Sequence, residues 1–260
     1  MASIQILGIC GREGAGKTTI ANILTGSSPA YELRQVTSPL DFICEVIFGE
    51  VDTIWEISPE GQRSVMRRLI REYVNADWFE KHPDGQTYMA PYEIATDGGW
   101  REFSFATPLK RICALIYDIP YDILLAQTPE ARVARETYDC GGGHNGRTCL
   151  EYFGTNVLRK LFDEDIFLKI LQREALLCKT RVVIPDVRFE NEINLINNLD
   201  GTLLVVTRGE SDLVITDADR KSHPAKWHFL QYYGNAKKHI HFANTGPISE
   251  LNTRIQELVL

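Results

Sequence analysis

Gly11-Arg-Glu-Gly14-Ala15-Gly16-Lys17-Thr18 puts three glycines, a lysine and a hydroxyl into one short turn. Glycines let the backbone bend so that its N–H groups converge on an anion. Lys17 then supplies positive charge for the β- and γ-phosphates, and the Thr18 hydroxyl is placed to ligate Mg²⁺. The run matches G-x-x-x-x-G-K-[ST], with Ala15 and Thr19 completing the cradle. Its flanks agree: apolar Ile4–Ile9 precedes it, and Thr18–Leu24 follows with the positive end of a helix dipole. A nucleoside triphosphate, read as ATP with Mg²⁺, is the ligand this segment predicts.

A phosphate loop does not say what receives the phosphate. Three later segments carry charges suited to anions: Phe105-Ala-Thr-Pro-Leu-Lys110, Arg147-Thr-Cys-Leu-Glu151-Tyr-Phe-Gly154-Thr155, and Val182-Val-Ile-Pro-Asp186-Val-Arg188-Phe-Glu190-Asn-Glu192. Asp186 ends a buried apolar strand, where a carboxylate can organise Mg²⁺ or a sugar. Arg188 can reach bridging phosphates from two residues on, and arginine grips phosphate in two-pronged fashion better than lysine. The plain alternative for Asp186 and Arg188 is a structural ion pair at a strand end.

The elements that must position these groups alternate. Apolar runs Ile4–Ile9, Val182–Ile184, Leu203–Thr207 and Ile240–Phe242 suit parallel strands covered on both faces. Helical patterns cover Thr18–Leu24, Thr148–Leu177, Glu190–Leu199 and Ser249–Val259. The expected fold is α/β, a doubly wound parallel sheet of P-loop NTPase type, with ligands at the carboxyl ends of the strands. Residues 1–26 and 101–260 form the expected core, with a lid over about 208–239, and 27–100 an inserted, mainly helical region. Ser38-Pro-Leu-Asp41-Phe-Ile-Cys-Glu-Val-Ile-Phe48 echoes Thr107-Pro-Leu-Lys110-Arg-Ile-Cys-Ala-Leu-Ile-Tyr117, and Ser58-Pro-Glu echoes Thr128-Pro-Glu. The echo reads either as two similar amphipathic helices or as a degenerate repeat of 105–135 whose Asp41 has lost a phosphate contact. Asp84-Gly85 and Asp97-Gly98-Gly99 suggest a hairpin-like excursion. Residues 27–100 could cap an acceptor site, form a homodimer surface, or make a small core around Trp55, Trp78 and Trp100.

Composition narrows the class. A net charge of −7 argues against a broad nucleic-acid-binding surface. The six cysteines form no C-x-x-C pair, which fits reduced thiols in a cytoplasmic compartment. No leader or apolar run of membrane-spanning length is evident. Cys140-Gly-Gly-Gly-His144-Asn-Gly-Arg147-Thr-Cys149 invites a zinc reading, but its spacing suits no common finger, and a glycine-rich hinge is preferred.

In order and spacing the motifs resemble those of the deoxynucleoside monophosphate kinases of large DNA phages and giant viruses. That family shows a P-loop, then A-x-P-L-K, R-x-x-L-Q-x-x-G-T, D-x-R-x-x-x-E and N-x-G-x-x-x-E-L, the last matched by Asn244-Thr-Gly246-Pro-Ile-Ser-Glu250-Leu251. The resemblance covers 1–26 and about 104–260. It implies transfer of the ATP γ-phosphate to a deoxynucleoside 5′-monophosphate, in a host cytoplasm if the source is viral. It assigns Lys17, Arg147, Asp186 and Arg188 to catalysis, and Thr18 with Asp186 to the metal. Lys110, Arg147, Glu151, Gly154, Thr155, Phe167, Asp186 and Arg188 would hold the acceptor. Asn244, Gly246 and Arg208 would join the phosphate loop on the donor side, with Arg220 and Lys221 in the lid.

Two positions depart from the family. Glu151 stands where glutamine is common, and an ionised glutamate cannot donate a hydrogen bond to a base. His223-Pro-Ala-Lys226 replaces His-x-Ser-Glu, so a lysine takes the place of a carboxylate. Phe167 could stack on a base or pack in a core. Two other readings compete: a P-loop kinase of another metabolite, of dephospho-coenzyme A or phosphomevalonate type, and a nucleotide-binding protein that has lost transfer.

Overall fold

A computed structural model describes residues 6–26, 31–49, 55–93, 99–125, 128–141, 143–178, 180–222 and 226–259. His223, Asp97 and Gly98, singled out above, lie outside the described residues. The first half of the chain runs β1 (Ile6–Gly11), α1 (Lys17–Thr25), β2 (Tyr31–Val36), α2 (Pro39–Phe48), α3 (Pro59–Tyr73), α4 (Trp78–Lys81), β3 (Tyr88–Glu93) and β4 (Trp100–Glu102). Then come α5 (Thr107–Ile116), α6 (Tyr121–Leu125), α7 (Pro129–Thr137), α8 (Gly146–Glu151), a π-helical stretch (Tyr152–Phe162) and α9 (Ile166–Leu177). The chain continues with β5 (Arg181–Ile184), α10 (Glu190–Asn198), β6 (Thr202–Thr207), α11 (Asp217–Lys221), α12 (Phe229–Tyr232), β7 (His239–Ala243) and α13 (Ile248–Val259).

The chain divides into two compact units. One comprises Met1–Ala30, Glu93–Phe105 and Leu171–Leu260; the other comprises Tyr31–Tyr92 and Ala106–Ile170. The first is built on a five-stranded sheet of order β4-β5-β1-β6-β7, parallel at every pairing. Ile9, Cys10, Val182–Ile184 and Leu203–Val206 are wholly buried, as expected of strands covered on both faces. On one face Ile20, Ala21 and Leu24 of α1 and Leu251 and Ile255 of α13 pack on Leu7, Ile9, Leu204, Val206 and Phe242. On the other, α10 lies against β1 and β6, and Gly8 leaves the space that Ile196 fills. This is the doubly wound α/β arrangement of P-loop NTPases, with both faces of the sheet sealed from water.

The four strands read from sequence are present. The fifth, β4, is three residues long and too short to show a periodicity. Trp100 lies in this strand and joins the sheet's core, so it takes no part in a core formed with Trp55 and Trp78.

The second unit is mainly helical, with β2 and β3 forming a two-stranded sheet. Its helices start where Ser/Thr-Pro pairs predict: Ser38, Ser58 and Thr128 each accept a backbone N–H from three residues on. Phe42, Phe48, Met66, Leu69, Ile112 and Phe153 fill its core.

The continuous helix predicted over Thr148–Leu177 is broken. It widens into the π-helical stretch after Glu151 and stops at Asp163, whose backbone is extended. Asp163 Oδ1 accepts the Asp165 N–H at 2.9 Å, while Oδ2 accepts Trp55 Nε1 at 2.8 Å and pairs with Lys169. A side chain that satisfies the next turn's N–H offers the backbone an alternative to the helix.

Candidate active site

The phosphate loop is the turn from the end of β1 into α1. Gly14 (φ 79°) and Gly16 (φ 98°) are both left-handed, a conformation glycine adopts without steric cost. Gly16 is also hemmed in, since a Cβ there would stand 2.4 Å from Asn244 Nδ2. Asn244 follows β7 and is buried. Its backbone N–H donates to Thr207 O at 2.7 Å, and its side-chain Nδ2 donates to Ala15 O at 2.8 Å. The side chain thus braces the loop from behind.

Lys17 opens α1, and its Nζ donates to Gly11 O at 2.8 Å and Arg12 O at 2.7 Å. Burial first and the Arg188 cation second bring its pKa down to about 8, against weaker support from Cys10, Glu13 and Asp186. Two cations are therefore held near each other on the loop side of the sheet, an arrangement that a polyanion would relieve. Thr18 and Thr19, the next residues of α1, are half-buried.

Asp186 stands just past β5. Its Oδ2 accepts Ser104 Oγ at 2.6 Å, and its Oδ1 accepts the Phe105 N–H at 3.2 Å. The next turn is fixed by Glu192, which is 2% exposed: its Oε2 accepts Arg188 N at 2.6 Å and Phe189 N at 3.0 Å. The exposed Arg188 side chain forms no ion pair or hydrogen bond with a described residue. An ion pair to Asp186 does not account for it.

Arg208, at the end of β6, donates Nε to Gly14 O at 3.3 Å, and Asp212 Oδ2 accepts its backbone N–H. Arg220 and Lys221 lie exposed on α11. Gly246 stands where a Cβ would meet Arg254 at 3.2 Å. Gly11, Gly14, Ala15, Gly16, Lys17, Asp186, Arg188, Arg208 and Asn244 thus lie in one unit; Asn244 and Arg208 are hydrogen-bonded to the loop, and the charges of Asp186 and Arg188 act on Lys17.

The remaining expected residues fall in the second unit. Lys110 is half-buried on α5. Arg147 is exposed on α8 and donates to Glu136 at 3.0 Å and to Glu151 at 3.1 Å, so Glu151 partners Arg147 directly. Gly154 is buried in the π-helical stretch, where a Cβ would stand 2.6 Å from Leu109. Thr155 is exposed two turns short of the stop at Asp163. Phe167 is 3% exposed, with the Arg159 guanidinium 5.2 Å from its ring centroid, so core packing describes its surroundings.

Four supporting residues escaped the sequence reading. Ser104 and Glu192 hold Asp186 and the Arg188 backbone, and Arg12 and Asp219 pair with each other. Glu192 carried a signal, as the closing acid of D-x-R-x-x-x-E on the apolar side of α10. Among the described residues no group of three or more His, Cys, Asp or Glu side chains could hold a metal; Cys140 N–H donates to His144 O at 2.9 Å, and Asp139 and Asn145 form an antiparallel bridge. No helix among them is long and apolar enough to cross a membrane.

No protein-family model matches the chain. Over 136 residues it is 32% identical to a protein of Acanthamoeba polyphaga mimivirus named "Putative deoxynucleotide monophosphate kinase", covering 48% of this chain and 68% of that one. The chain belongs to the deoxynucleotide monophosphate kinase family.

Proposed function

We propose that this kinase transfers the γ-phosphoryl group of ATP to a deoxynucleoside 5′-monophosphate, yielding a deoxynucleoside diphosphate for DNA synthesis. The observation that carries the reading is the pairing of a braced, left-handed phosphate loop with two neighbouring cations, Lys17 and Arg188. Phosphoryl transfer asks little covalent chemistry of a protein. It asks for charge neutralisation and in-line positioning.

The chain's groups divide that work. Loop N–H groups and Lys17 hold the β- and γ-phosphates of the donor. Arg188, on a turn fixed by Glu192, neutralises charge on the group in transfer. Lys110 and Arg147 hold the acceptor phosphate, and releasing Glu136 and Glu151 would free both edges of the Arg147 guanidinium for it. Thr18 and Asp186 would supply the protein oxygens to a magnesium ion bound with the nucleotide, since Mg²⁺ commonly takes one or two protein oxygens alongside phosphates. When bound, the ion would neutralise charge shared between the β- and γ-phosphates. Ser104 and Phe105 orient the Asp186 carboxylate.

The test is direct. With ATP and Mg²⁺, chromatography of reactions with each deoxynucleoside and ribonucleoside monophosphate, dephospho-coenzyme A and phosphomevalonate should show ADP and a deoxynucleoside diphosphate forming in equal amounts. Turnover confined to either metabolite would replace the reading. ATP binding with no turnover of any acceptor would leave a nucleotide-binding protein without transfer.

A further inference from the structure

Arg12 is the first variable residue of the phosphate loop, and its guanidinium is engaged with a segment two hundred positions away. Nη1 and Nη2 donate to Asp219 Oδ1 and Oδ2 at 2.6 and 2.9 Å, a two-pronged pair. Nε donates to Asp212 O at 3.0 Å, and Nη2 also donates to Val214 O at 2.7 Å. The side chains of Arg12 and Asp219 are only 21% and 13% exposed. Asp219 is itself built in: its Oδ2 accepts the Thr216 N–H and hydroxyl, both at 2.8 Å, closing the capping box that starts α11. A second tie, Arg208 Nε to Gly14 O, joins the start of the same segment to the other side of the loop.

We infer that Arg12 is a positioning residue: it fastens 212–219 to the phosphate loop and so fixes the segment that bears Arg208, Arg220 and Lys221. The inference rests on the kinase reading for its purpose, though not for its geometry. Four of the five guanidinium N–H groups face protein acceptors, so Arg12 is spent on the protein and not on phosphate. Its loop N–H stays outside these bonds, so the fastening and anion binding by the backbone are compatible. A planar fork is needed, because a lysine point charge could not serve a carboxylate and two separated carbonyls together. Placing the cations beforehand spares the reaction the ordering of a loop.

The variants are Arg12→Ala, Arg12→Lys, Asp219→Ala and Asp219→Asn, with the double alanine variant, all in the full chain. Hydrogen exchange is followed in the free protein, and kcat and KM for ATP are measured with the accepted monophosphate. Both single alanine variants should speed exchange across 209–222 by about tenfold or more, with β6 and α13 unchanged. The same variants should lower kcat by about tenfold with a smaller change in KM, and the double variant should be no worse than the worse single. Arg12→Lys and Asp219→Asn should fall between wild type and alanine. Unchanged exchange at 209–222, or faster exchange with normal kcat, would overturn the inference. So would loss of transfer in Arg12→Ala but not in Asp219→Ala, because Arg12 would then act on phosphate itself. If wild type phosphorylates nothing, the kinase reading fails, and the positioning role fails with it even where exchange shows the fastening to be real.

Discussion

Gly16→Ala should be costly for two separable reasons, and a double-mutant cycle with Asn244 separates them. The first is conformational: an L-residue in the left-handed region costs about 1–2 kcal/mol. The second is contact, because the new Cβ would stand 2.4 Å from Asn244 Nδ2 and displace the side chain that donates to Ala15 O. Leaving that buried carbonyl without its donor adds about 1–3 kcal/mol. Gly16→Ala alone should therefore destabilise its unit by about 2–5 kcal/mol. Gly14→Ala has no atom within 4 Å of its Cβ and should show the first cost only, about 1–2 kcal/mol. Asn244→Ala should cost about 1–3 kcal/mol, and in that background Gly16→Ala should cost no more than Gly14→Ala. Urea titrations of the wild type and these four variants, followed by amide exchange in β1 and α1, would measure this. Strictly additive penalties would refute the argument that Asn244 braces the loop.

Other outcomes follow from the same contacts. Lys17 is held near pKa 8, below the 10.5 it has when unfolded, so the unfolded chain binds more protons between those values. Its contribution to stability should rise with pH across that window, while ATP affinity should fall above pH 8; Lys17→Met, in titration calorimetry, should remove both trends. Phe167→Ala should cost about 3–5 kcal/mol in chemical denaturation, as for a buried ring, and a stable variant with weakened acceptor binding would restore the stacking role. Arg147→Ala removes only exposed ion pairs, so stability should change by about 1 kcal/mol or less. Its KM for the monophosphate should nonetheless rise, and an unaltered KM would exclude it from the acceptor site. Asp163→Ala should cost about 1–3 kcal/mol and shift Trp55 fluorescence, since it loses the indole hydrogen bond as well as the helix stop.

The sheet was legible in sequence because its strands are short apolar runs whose burial on both faces permits little else. The phosphate loop was legible because its glycines and lysine are demanded by one backbone shape. What sequence concealed was each group whose role depends on a distant partner. Arg12 looked like a variable loop residue, and only Asp219, with Asp212 O and Val214 O, gives it a purpose. The family resemblance singles out Asn244, but its reach to Ala15 O required the fold. The break at Asp163 escaped a reading by periodicity because the apolar spacing continues through it, and the stop comes from one side chain bonding the next turn. Phe167 illustrates the same limit, since an aromatic at a motif position carries no mark of whether its face is already covered.

The central claim is that the γ-phosphoryl group passes to another nucleotide, and its label can be followed. With γ-³²P-labelled ATP, Mg²⁺ and the full set of deoxynucleoside monophosphates, radioactivity should move into a deoxynucleoside diphosphate, and Lys17→Ala and Arg188→Ala should each suppress that movement by orders of magnitude. Label released only as inorganic phosphate, or transfer unaffected by both substitutions, would contradict the account.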